Sequence, residues 1–207
     1  MKFRRHSLAL ALAALALFAA DAPAQETAGG AGFDSALVAR RLSSRNPRER
    51  RAAAEELARA AAVEHRRLIE GYRVQEKDEG VRLALDWALY RMGRGPSLFL
   101  LVDALDDKKR AEQVVGYLKQ IETPAPLHVF LNHVNGNTTI RLLEVLAHVG
   151  DRDTLERIKP FTSSLDAGIA AAADFAQREI TIRLEETPAP EPKRERRAGQ
   201  SAETEPE

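Results

Sequence analysis

Cysteine is absent from the 207-residue chain, which excludes disulfides, thiolate metal sites, a cysteine nucleophile and a lipidated-cysteine anchor. Aromatic residues are only 5% of the chain, and no run of alternating β-branched residues offers itself as a strand. The apolar run Leu8–Ala20 has 13 residues, short of the ~20 that a membrane-spanning helix needs. Charge of one sign is also lacking. The 31 basic residues match 31 acidic ones, and setting aside residues 1–24, with three basic and one acidic, leaves 28 and 30. Such a balance gives no general attraction to nucleic acid or to an anionic bilayer. A His-Glu-x-x-His pair, a Gly-rich phosphate loop, a Gly-x-Ser-x-Gly elbow and a Ser-His-Asp arrangement are all missing, so no catalytic residue, metal ligand or cofactor is expected.

What remains is rich in Ala, Leu, Arg and Glu, all good helix formers, and predicts an all-α fold. The two ends read differently from the middle. Residues 1–24 have the parts of a secretory signal peptide: Lys2, Arg4 and Arg5, the apolar run, then Ala22-Pro23-Ala24 ahead of a cut before Gln25. Arg4-Arg5 also raises the twin-arginine route, without a preceding Ser or Thr. The expectation is an exported protein, periplasmic or secreted, with no integral membrane anchor after cleavage. Residues 25–32 are a Gly/Ala linker. Residues 185–207, ending TPAPEPKRERRAGQSAETEPE, are too polar to offset the entropy of ordering and read as a disordered tail.

Residues 33–184 carry a period. In Thr138–Phe161, Leu142, Val145, Leu146 and Val149 mark one helical face, Gly150 offers a permissive end, and Leu155, Ile158 and Phe161 begin a second rhythm. Two helices joined this tightly fold back antiparallel. Leu57, Leu89, Leu118 and Leu146 fall in equivalent places, 32, 29 and 28 residues apart. Leu85, Val114 and Leu142 match likewise, and Ala replaces the large residues in a fifth unit. About five helical hairpins result, over 33–62, 63–94, 95–122, 123–150 and 151–184. Leu37, Val38 and Leu42 are expected inward, Asn46-Pro47 with Glu49 to form a capping box, and Asp106 or Asp107 to cap the helix of Val114.

Asn46-Pro47-Arg48-Glu49-Arg50-Arg51-Ala52-Ala53-Ala54-Glu55-Glu56-Leu57, Glu79-Gly80-Val81-Arg82-Leu83-Ala84-Leu85 and Val149-Gly150-Asp151 resemble the HEAT-like repeats, especially the short kind first associated with phycobilisome lyases. The likeness is weakest at the third unit, where Lys108-Lys109-Arg110 replaces the usual start. It implies a right-handed α-solenoid (an α-α superhelix) whose second helices line a concave side. Iron-binding hydroxylases of this fold rely on His-Glu dipeptides, and none occurs here.

Val81–Arg94 is apolar on two faces. Val81, Leu85, Leu89 and Met92 form one, and Leu83, Trp87, Tyr90 and Arg94 the other. The second face either packs against a neighbouring repeat or is a concave binding stripe anchored by the single tryptophan. The same offsets add Arg51, Glu55, Glu112, Lys119, Ile140 and Glu144, a mixture of charge around an aromatic centre that suits a protein or peptide. The binding reading expects Trp87→Ala to weaken a partner with little loss of stability. A lyase-related enzyme or accessory holding a small ligand is the alternative. Nucleic-acid binding through Arg40, Arg41, Arg45, Arg48, Arg50 and Arg51 is a third, disfavoured by the leader and by the lack of interleaved aromatics. His65, His128, His133 and His148 read as scattered surface histidines, and Asp103, Asp106 and Asp107 as helix terminators.

Overall fold

The computed structural model describes residues 33–134 and 136–186. The leader, the linker and all but the first two residues of the tail lie outside them. The described chain is all-helical, with no strand. Short and long helices alternate: α1 (Ser35–Arg40) and α2 (Pro47–Arg59), α3 (Arg66–Gln75) and α4 (Glu79–Arg91), α5 (Ser97–Asp103) and α6 (Ala111–Leu118), α7 (Ala125–His128) and α8 (Gly136–Val149), α9 (Arg152–Ile158) and α10 (Ala167–Glu186). One-turn 3-10 segments extend α1, α5 and α9.

The longer helices carry the packing. α2 lies along α4 and α8 along α10 with the most extensive contacts, α6 meets α8 over a smaller area, and α4 touches α6 more narrowly than it does α3 and α5. Their polar contacts recur about one unit apart in sequence: Gln113 with the Gly80 carbonyl, Arg91 with Glu122, Arg141 with Glu112, Arg183 with the Ala147 and Gly150 carbonyls. Contacts advance together along both helices of a pair, so successive long helices run parallel. Leu57, Leu89, Leu118 and Leu146 are each 0% exposed, which makes the leucine register the seam of the core. Burying each such side chain contributes about 1.5–3 kcal/mol. In α10, Ala173 and Ala176 fill the equivalent space.

Several local expectations change. Leu37 points outward while Val38 and Leu42 are buried. Asn46 caps α2 by accepting from the Arg48 amide, but Glu49 turns away from the expected capping box and accepts from Ser44 Oγ at 2.5 Å. The reciprocal box forms instead at α9, between Asp151 and Thr154. Asp107 caps the turn before α6, accepting from the Lys109 amide, and α6 starts at Ala111 without a side-chain cap. Gly150 ends α8 without a left-handed φ. A Cβ there would sit 2.5 Å from the Leu146 carbonyl and 2.6 Å from Ile180 Cδ1; the side-chain tip of Ile180 can swing aside, so the backbone carbonyl of α8 itself is what requires glycine. Arg183 reaches back from α10 to the Ala147 and Gly150 carbonyls at 2.8 and 2.6 Å, closing the end of α8 with a cation.

Candidate functional site

α4 is the most enclosed helix: from Gly80 to Leu89 only Arg82 is exposed. Its second apolar face is therefore used up internally. Trp87 is 3% and Leu83 8% exposed, so neither offers a side chain to a partner, and of the two readings of this face the packing one describes them. The Trp87 ring stacks on Tyr117 of α6 at 5.7 Å between centroids and 2° between planes. It also meets Tyr90 at 5.8 Å, with the Arg91 guanidinium 5.8 Å from its centroid.

Tyr117 locks this stack. Its hydroxyl donates to Glu55 Oε1 of α2 at 2.6 Å and accepts from Gln113 Nε2 at 2.7 Å, while Arg51 Nε holds the same Glu55 oxygen at 2.8 Å. This bond joins the first unit to the third across the second. Burial, then the bond to Glu55, pushes the Tyr117 phenol well above its ordinary pKa, so it remains a donor. Arg51, Glu55 and Glu112 rim a cleft of about 290 Å³ whose floor is Trp87, Gly116 and Tyr117. Gly116 occupies the place equivalent to Trp87 in the next unit, the one trace of the stack in the sequence.

The remaining nominated residues do not converge on that cleft. Leu83 lines a cleft of about 540 Å³ with Arg73, Asp86 and Arg110. Half-buried Tyr90 edges one of about 400 Å³ beside Arg91 and Glu122. Arg94 lies 3.7 Å from Glu70 of α3. Lys119 pairs with Glu144 at 3.2 Å, and Arg141 bridges Glu144 and Glu112 at 3.2 and 2.6 Å. The charged row along the long helices is thus satisfied by its own members. Three of the six clustered arginines are likewise paired, Arg41 with Glu56, Arg50 with Glu76 and Arg51 with Glu55.

Two buried polar residues, Asp86 and His128, stand outside the nominated set. Asp86 is 2% exposed and takes Arg73 Nε at 2.7 Å. Burial raises its pKa, with Arg73 opposing. As the single charge in Leu83–Leu89 it was visible in the sequence. His128 is buried rather than on the surface, its Nε2 2.8 Å from Thr154 Oγ1. The Thr154 proton goes to Asp151 Oδ1, so His128 Nε2 is the donor. Burial, then Arg157, lowers its pKa. Among the described residues no three His, Asp or Glu side chains gather as metal ligands, and no helix is long and apolar enough to cross a membrane.

Among the described residues an exposed apolar patch lies on the short helices α5 and α7. Phe99 of α5 is 62% exposed and Val129, just after α7, 57%. Phe99 meets Phe130 edge-on at 4.9 Å. With Val102, Val134, Asp103 and His133 they line a cleft of about 350 Å³. Set against known proteins, the chain matches no family model, and no curated protein matches it.

Proposed function

We propose that the chain is an exported, non-catalytic scaffold of stacked HEAT-like helical repeats, wound as a solenoid, that binds a protein or peptide. The docking surface is the α5–α7 cleft rather than the row of long helices. The observation that carries this is the exposure of Phe99 and Val129 at an apolar cleft with two polar groups, Asp103 and His133, on its edge. A surface that is apolar at its centre and polar at its margin is how protein interfaces are built. Its volume suits one or two apolar anchor side chains of a polypeptide. The long-helix row is a poorer surface, because a partner there would first have to break pairs the protein makes with itself. The lyase-like alternative needs a deep pocket behind Trp87, and that space is filled by Tyr90 and Tyr117.

Selection of a displayed random-peptide library tests the reading. The expected binders carry a Leu, Ile or Phe anchor. They weaken at least about tenfold with Phe99→Asp or Val129→Asp, the loss usual for an interface hot spot, while melting is unchanged. Binders that survive those changes but are lost with Glu112→Lys would move the site to the long-helix row. A library yielding none would refute the reading.

A further inference from the structure

α10 is apolar on two sides, but only one is covered. Ala173, Ala176 and Ile180 face α8 and are fully buried. On the far side Phe175 is 46% and Ile182 51% exposed. Ala171, Phe175, Arg178 and Ile182 follow at intervals of four, three and four residues, the spacing of a helix-pairing seam. Repeat arrays ordinarily close with a polar outer face on the last helix; this one carries a second stripe.

We propose that this outer face of α10 is a homodimer interface, pairing two copies of the chain antiparallel about a two-fold axis between Arg178 and Glu179. Self-complementarity singles out a second copy over any other partner. Antiparallel helices related by that axis bring Phe175 of one copy to Ile182 of the other, twice. They also set Arg178 of each copy against Glu179 of its mate. Both residues are exposed, and neither has an ion-pair partner among the described residues. A two-fold interface must match itself in this way, and like charges at the axis would forbid it. A pair of 20-residue helices, about 30 Å long, buries less than a permanent dimer does. The association is therefore weak and concentration-dependent.

Sedimentation equilibrium on the protein as its host makes it, from micromolar to millimolar concentration, is the test. A monomer–dimer equilibrium is expected. Arg178→Glu and Glu179→Arg should each weaken self-association about tenfold or more, because each places like charges across the axis. Mixing the two variants should restore a dimer, now heterodimeric, since the mixed axis again carries opposite charges. Both substitutions are on the surface and leave helix content and melting as controls. A wild-type chain that stays monomeric throughout overturns the proposal. So does growth beyond dimers, which indicates end-to-end joining, or a mixture that fails to recover.

Discussion

At Glu76 four donors meet two carboxylate oxygens. Arg50 forks onto it with Nε and Nη2 at 2.7 and 2.8 Å, and the amides of Lys77 and Asp78 donate from 3.0 and 2.9 Å. The Arg50 bond is the chief cause holding its pKa below the usual range. A depressed carboxylate contributes stability above its unfolded pKa and loses it as pH falls through the folded one. Buried His128, whose pKa is also lowered, adds to the same acid sensitivity. Glu76→Gln should therefore cost about 1.5–3 kcal/mol at neutral pH and flatten the decline in urea stability below the ordinary carboxylate range. An unchanged acid limb would contradict this. Trp87 gives the second residue-scale test. Its burial predicts that Trp87→Ala costs about 3–5 kcal/mol, contrary to the small loss a surface anchor would show. Its burial could not be read from the sequence, because Trp is equally suited to an interface and to a core. The deciding partner, Tyr117, bonds to Glu55 across 62 positions, two periods rather than one.

Among the helices, ends and faces differed in how far they could be read. Caps with the right chemistry, Asp34, Asn46, Asp78 and Asp151, hold their helices by accepting from backbone amides. The end of α2 had no Gly or Pro to mark it, yet the chain turns there with Ala61 at φ +46°, and the Ala62 amide reaches back to the Leu57 carbonyl. Alanine in that region costs about 1–2 kcal/mol, so Ala61→Gly should raise stability by about 1 kcal/mol, seen as a higher urea midpoint with an unchanged slope. A lower midpoint would show the alanine methyl packing matters more. Faces were legible where a leucine register fixed them. They were ambiguous where a helix was apolar on two faces, as in α4. α7 spans only four residues, after which the chain continues in three-residue turns, the Phe130, Leu131 and His133 amides reaching the Leu127, His128 and Phe130 carbonyls.

For the molecule as a whole, the leucine register marked the buried faces of four packed helices, because none of them can stay dry except against its neighbours. The charged pairs were not specified, since they depend on how closely parallel helices approach rather than on spacing along one of them. The central physical claim is a single continuous core, running from Leu57 through Leu89 and Leu118 to Leu146. Trp87, two units away from Leu146 and alone of its kind, reports on that continuity directly. The most direct measurement is urea unfolding of Leu146→Asp, followed together by Trp87 fluorescence and by helical circular dichroism. One continuous core predicts that both signals shift to the same, much lower midpoint, with Trp87 exposed when the helices go. A Trp87 signal that stays native while only part of the helicity is lost would contradict it.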